Sequence, residues 1–287
     1  MKKVWQIISF ILILVFLTGL GVYVFTPRAQ LLHYFAPQIN FVRISNLLIK
    51  ENQASLQLHL QATSPLLPVY INNLRYNFKL YDQSISRGQQ TLTTKQNKKT
   101  QPITLPLRLN YLQTLPFVQR QLSNNLPVTA RFTLLCQIPL LGNETIVLQQ
   151  TLPFTIPVLV APEITQVATE EIGFQHLRVI LTLQVINENK FDYYLRDMSV
   201  KAEFPGYQAV ATTIREDYLI KANQVTPIKI FSVKTLTKAD KNLIFQANRS
   251  LNYRLKTAMV LEPVQVPIDK ISFNASSTGS LTVPQEI

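Results

Sequence analysis

The chain has one cysteine, Cys136, so no intramolecular disulfide can form. Its place in an alternating apolar run marks it as a small buried hydrophobe with an inert thiol. Glycine is scarce, with seven residues in 287. Doubly wound nucleotide-binding folds consume glycine at their βα turns, so that architecture is excluded. The three histidines, His33, His59 and His176, are scattered. There is no HExxH, no paired cysteine ligand set, no GxSxG and no phosphate-binding glycine loop. The first half carries only three acids, Glu51, Asp82 and Glu144, and a carboxylate pair needs two groups converging on one cleft. No catalytic residue, metal site or cofactor is expected, and the chain is read as non-enzymatic.

Acid is scarce relative to base overall, giving a formal charge of +12, and the excess is uneven. Residues 40–157 hold eleven Lys/Arg against three Asp/Glu, a net of +8. Residues 158–287 hold fourteen against thirteen, a net of +1. The basic residues of the first half are not interleaved with exposed aromatics, since Tyr76 and Phe78 fall on the core side of their strand. A stacking platform for bases is therefore missing, and nucleic acid is not an expected partner.

The uncharged run from Val4 to Phe25 follows Lys2 and Lys3 and has Trp5 and Tyr23 near its ends. It is long enough to cross a hydrocarbon core of roughly 30 Å. It also exceeds the roughly 7–15 residues of a signal-peptide h-region. The expectation is an uncleaved single-pass anchor, with Val4, Trp5 and Phe25 in it, a cytoplasmic N-terminus and the rest of the chain outside. Missing disulfides and Gln/Asn-rich loops favour a bacterial inner (cell) membrane with periplasmic domains.

After a short link the signals are those of strands. Leu56, Leu58 and Leu60 alternate with Gln57, His59 and Gln61, which reads as a half-buried strand with His59 on its solvated side. Leu74, Tyr76, Phe78 and Leu80 form another, ended by SISRG with Gly88 able to take positive φ at a turn. ITLPLRLNY is a further strand. TLPFVQRQLSNN reads as a helix capped by Thr114, with Pro116 in its first turn and Leu115, Val118 and Leu122 on one face. Two strands then meet at a hairpin around Gly142-Asn143. The same order returns after residue 160. Leu60-Gln61 aligns with Leu183-Gln184, Ile71 with Leu195, Leu74 with Met198, and QPITLPLRL with TPIKIFSV. Leu243 and Ile244 lie on one face of a second helix started by Thr237 and Asp240. A unit of about 120 residues used twice indicates tandem domains and not a short-period solenoid.

The succession of alternating strand, Ser-Pro, leucine, proline, alternating strand and SISRG resembles the late embryogenesis abundant group 2 family, also called the water stress and hypersensitive response domain. The segment ARFTLLCQIPLLGNETIVLQQTLPFTIPVL is similar to that family's closing hairpin. Thr114 to Asn124 matches its single helix in place and length. The resemblance covers residues 40–160 well and 161–280 less well. The second copy departs from it at Asn187-Glu188-Asn189-Lys190, which lacks the proline, and has no glycine where Gly88 stands. The resemblance implies an immunoglobulin- or fibronectin-like β-sandwich of about seven strands with one short helix per copy; with the anchor and the repeat, the expected fold is all-β dominated, an N-terminal transmembrane helix (1–39 with its link) followed by two tandem sandwiches (40–160 and 161–287). The resemblance also implies no catalytic residues, an association with water stress and desiccation tolerance, membrane-proximal placement, and a capacity to hold apolar ligands or lipid.

The expected function is therefore a membrane-anchored, extracytoplasmic, stress-protective structural or binding module. Its basic first unit would lie against anionic headgroups through Lys95, Lys98 and Lys99, each charge contributing on the order of 1 kcal/mol near the surface. The alternative is a carrier whose lipid or other apolar ligand sits in a groove between helix and sheet, lined by Leu115, Val118, Leu122, Leu243 and Ile244.

Overall fold

A strand buries every second side chain, and most of this chain alternates in that way. The computed structural model describes residues 2–25, 27–92, 99–124, 126–139, 141–172, 176–206, 209–235 and 250–282. Among the described residues the chain is mostly β, with fifteen strands in three sheets. Helices α1 (Lys2–Phe25) and α2 (Arg28–Phe35) come first. They are followed by β1 (Gln38–Ile49), β2 (Gln53–Thr63), β3 (Tyr70–Leu80), β4 (Gln83–Thr91), β5 (Thr100–Asn110), α3 (Tyr111–Asn124), β6 (Val128–Ile138) and β7 (Gly142–Leu152). The rest of the chain gives β8 (Glu163–Ile172), β9 (His176–Asn187), β10 (Tyr193–Glu203), β11 (Val210–Ile214), β12 (Tyr218–Ile220), β13 (Gln224–Thr235), β14 (Ser250–Pro263) and β15 (Ile271–Thr282).

One sheet runs β4-β3-β6-β7 and another β13-β9-β8. The third has eight strands in the order β11-β10-β14-β15-β1-β2-β5, with β12 also on β10. Topology recurs rung by rung between the halves. Gln61 stands opposite Pro102 in the first, and Gln184 opposite Pro227 in the second. A register shift falls between Phe41 and Arg43 of β1 and again between Ile164 and Gln166 of β8. Another falls between Ile71 and Asn73 of β3 and again between Leu195 and Asp197 of β10. An extra residue breaks period two at such a point, which is why Ile71 and Leu74, three apart, are both buried, like Leu195 and Met198. The counterpart of α3, with Thr237, Asp240, Leu243 and Ile244, lies outside the described residues.

The halves are joined through backbone. Leu47, Leu48 and Ile49 of β1 pair in parallel with Ile271, Ser272 and Phe273 of β15. The Ile44 N–H donates to Pro267 O at 2.8 Å, and the Asp269 N–H donates to Ile44 O at 2.9 Å. A second joint is made of buried polar groups around residues 153–162. Asn189, fully buried, accepts from the Val158 N–H at 2.9 Å and donates to Val158 O at 2.6 Å, matching a peptide group on both sides. Asn187 Oδ1 accepts from the Asn189 N–H at 3.0 Å. From α3, Gln121 donates to Phe154 O at 3.0 Å, and the Tyr111 hydroxyl accepts from the Leu159 N–H at 2.9 Å. The turn at Asn187-Glu188-Asn189-Lys190 is thus the part that docks on the connection.

Two local expectations are corrected. Gly88 is not at a turn: it lies within β4, and the turn is made by Tyr81 and Asp82 with φ of 49° and 61°. Gly88 is needed because the ring of its cross-strand partner Tyr76 lies over it, where an added Cβ would stand 2.4 Å from the hydroxyl oxygen. That hydroxyl donates to Pro106 O in the facing sheet at 2.6 Å. Helix α3 starts at Tyr111 and not at Thr114. Asn110 Oδ1 caps it by accepting from the Gln113 N–H, and Pro116 falls inside the helix.

Gly88→Ala must displace the Tyr76 ring and break its bond across the sandwich. A loss of about 2 kcal/mol is expected, read as a lower urea midpoint. Asn189→Ala leaves both polar groups of Val158 buried without partners and should cost about 3 kcal/mol. Limited proteolysis should then cut within residues 153–162 before any other site, and unchanged cleavage would show that Asn189 does not hold this joint.

Candidate functional site

The strand register defines two ends of the first half. Gln38 pairs with Thr63, and Thr63 with Thr100, so the start of β1, the end of β2 and the start of β5 share one rung. Next to that rung the Ser64 N–H donates to Lys99 O at 2.8 Å. Lys99 is exposed, and in the adjoining β2–β3 loop Leu66 and Leu67 are 53% and 38% exposed. Lys95 and Lys98 lie outside the described residues. Helix α2 ends just before this rung, packs Leu32 and Phe35 against the core, and pairs Arg28 with Glu144 near the β6–β7 turn. The opposite end, around Ile49 and Gln53, is where the second half attaches. Twelve residues of β1 at about 3.3 Å each separate the ends by roughly 40 Å.

Among the described residues no helix is long and apolar enough to cross a membrane. In α1 the side chains described are those of Trp5, residues 8–18 and Gly21. Trp5 is 73% exposed, and Phe10, Leu12, Val15 and Phe16 are exposed as well. The side chains of Val4 and Phe25 lie outside the described residues.

The helix face offered as a groove is packed. Val118 is fully buried, Leu122 is buried, and Leu115 is partly buried against the core. These residues do not line three clefts that open on the eight-stranded sheet. The clefts measure about 710, 480 and 720 Å³.

Chemistry-bearing groups are few. No group of three or more His, Cys, Asp or Glu suited to a metal ion occurs among the described residues. His59 differs from its expected solvated placement. It is half-buried, with Nε2 2.6 Å from Ser45 Oγ and Nδ1 3.1 Å from Thr104 Oγ1. The order resembles nucleophile, base and orienter, but the orienter is a neutral hydroxyl that cannot stabilise an imidazolium as a carboxylate does. The three residues tie β1, β2 and β5 together. Sequence alone did not align them because β1 shifts register twice against β2. Cys136 is fully buried, as expected, and burial pushes its thiol pKa up to about 12. Burial, opposed by the Leu159 N–H and aided by Glu188, pushes Tyr111 up to about 12.

No family model and no curated protein matches the chain. Among solved structures it is similar to an Arabidopsis thaliana protein determined in solution, with 16% identity and a TM-score of 0.34 over 46% of this chain and 87% of that one. An Archaeoglobus fulgidus protein gives 10% and 0.27 over 45% of this chain and all of that one. Red sea bream transglutaminase gives 10% and 0.25 over 88% of this chain and 32% of that one.

Both raised acids stay protonated in the folded chain at pH values where the unfolded chain ionises. Their contribution is complete below pH about 9 and is lost as pH rises toward about 12. Urea midpoints should therefore fall steadily from pH 9 to 11. Cys136→Ala should have a shallower slope than the wild type, since only the tyrosines remain. Parallel slopes would show that the thiol does not contribute.

Proposed function

We propose that the chain is a non-enzymatic, membrane-anchored module made of two immunoglobulin-like β-sandwich units of the late embryogenesis abundant group 2 type, divided near residue 160, with a structural or protective role outside the cytoplasm. The observation that carries this is the exposure of Leu66 and Leu67 in the β2–β3 loop and of Lys99, whose carbonyl is bonded to Ser64 of the same loop. Exposed leucines beside a cation suit the boundary between acyl chains and headgroups. They stand at the end of the unit joined to the N-terminal helix and away from the end that holds the second half.

The anchor rests on the sequence run from Val4 to Phe25, carried on one helix of 24 residues. In the sequence that run is long enough for a hydrocarbon core of roughly 30 Å, although among the described residues no helix is long and apolar enough to cross a membrane. Exposure of Trp5, Phe10, Leu12 and Phe16 supports a lipid environment for a helix apolar on every side. Burial of Val118 and Leu122 favours this structural role over a carrier with a groove beneath α3.

The test uses the full chain in liposomes containing phosphatidylglycerol. Cys136→Ala removes the native thiol, and Leu66→Cys or Ser280→Cys then carries one fluorophore. Spin-labelled lipid headgroups should quench the label at position 66 and leave that at position 280 bright. Equal quenching at both, or at neither, would overturn the membrane-facing assignment.

A further inference from the structure

The outer face of the eight-stranded sheet carries a cleft built by both halves of the chain. Lys50, Glu51 and Asn52 of the β1–β2 turn and Gln53 at the start of β2 form one wall, and Lys201, Lys256 and Asn274 of the second half form the other. Its volume is about 710 Å³. The turn is fixed in place: the Lys50 N–H donates to Gln53 O at 2.8 Å, and Ser276 Oγ donates to the Glu51 carboxylate. A second cleft of about 480 Å³ shares Lys50, Asn52 and Gln53 and extends to Arg108 and Asn110. The two form one path from β10 across β14, β15, β1 and β2 to β5.

The path is cationic and rich in amides. Among the described residues neither Lys50 nor Lys256 has an ion-pair partner. Lys201 pairs with Glu203 at 2.6 Å, but both side chains are more than a third exposed, and such a pair exchanges for another anion at little cost. Lys201, through its hydrogen bond and its charge, holds the Glu203 carboxyl below the usual range, with smaller effects from Lys256 and Arg254. These cations therefore act on the same region. Neither cleft is lined by an aromatic ring, so bases have nothing to stack on. Spaced point charges separated by amides and hydroxyls match a ligand with spaced anionic groups and many hydroxyls.

We infer that this double cleft binds a linear acidic polysaccharide, its anionic groups paired with Lys50, Lys201, Lys256 and Arg108 and its hydroxyls bonded to Asn52, Gln53 and Asn274. The site lies at the end of β1 away from α2, so it does not depend on the membrane reading.

The probe is a galacturonic acid oligomer added to the full chain in a poly(oxyethylene) detergent, followed by calorimetry. The oligomer should bind, a neutral dextran oligomer should not, and added salt should weaken the binding. Lys50→Gln with Lys201→Gln and Lys256→Gln should weaken it by at least about tenfold. Arg75→Gln with Arg87→Gln and Arg131→Gln, which removes equal charge from the opposite sheet, should leave it unchanged. In the unmodified chain the oligomer should also protect Lys50 and Lys256 from acetylation, a readout that needs no variant. Absence of binding, equal loss in both triple variants, unprotected lysines, or equal affinity for an oligothymidylate of the same charge would each overturn the proposal.

Discussion

Everything distinctive in this molecule depends on β1 having a partner on each edge. Along one edge it pairs with β2 in antiparallel register from Gln38 to Ile49. Along the other it meets β15 in parallel only from Leu47 to Ile49, after a shift in register beyond Ser45 and a residue, Asn46, at φ 51°. A parallel pair requires a crossover, and here the crossover is most of the chain. Three rungs thus turn a three-stranded and a five-stranded layer into one eight-stranded sheet. The inner faces of both halves then belong to one contiguous buried cluster. The outer face also becomes continuous, which brings Lys50 beside Lys256.

The second joint works by a different force. Apolar contact alone would let residues 153–162 slide between α3 and the β9–β10 turn. Asn189 prevents this because its amide matches the donor and acceptor of one residue, Val158. Gln121 and Tyr111 fix the same segment from the other side. Buried polar groups tolerate few alternative pairings, since each unmatched group costs about 1–3 kcal/mol. The joint therefore sets register as well as adhesion. It also gives a physical reason for the missing proline at residues 187–190: a proline there would fix the turn shape and remove an N–H, whereas Asn189 uses its own N–H to hold Asn187.

Much of the fold was legible because period two survives translation into sequence. The alternating leucines of β2, the core side of Tyr76 and Phe78, the hairpin at Gly142 and the burial of Cys136 all follow from it. The aligned pairs Ile71 with Leu74 and Leu195 with Met198 do fall at matching register shifts in β3 and β10. What failed was local chemistry that depends on a partner from elsewhere. Gly88 has a turn-like sequence around it, yet its cause is the ring of Tyr76 on the next strand. Thr114 has the composition of a cap, but Asn110 lies one turn earlier and reaches Gln113. His59 looked solvated because Ser45 and Thr104 become neighbours only after the register shifts of β1 are known. The cleft was illegible for the same reason, being made by residues about two hundred positions apart.

Charge shows the same limit. A tally by halves, +8 against +1, places all the basic character in the first. The sheet redistributes it. Lys201 and Lys256 come from the nearly neutral half, in which Glu170 pairs with Arg178, Asp217 and Glu262 with Arg196, and Asp269 with Arg43. Each exposed pair is weak on its own. Lys99, at the other end of β1, belongs to a separate surface some 40 Å away by strand length. At about 8–10 Å of screening length in physiological salt the two regions do not feel one another, so the basic character of the chain forms two surfaces that a ligand would meet independently.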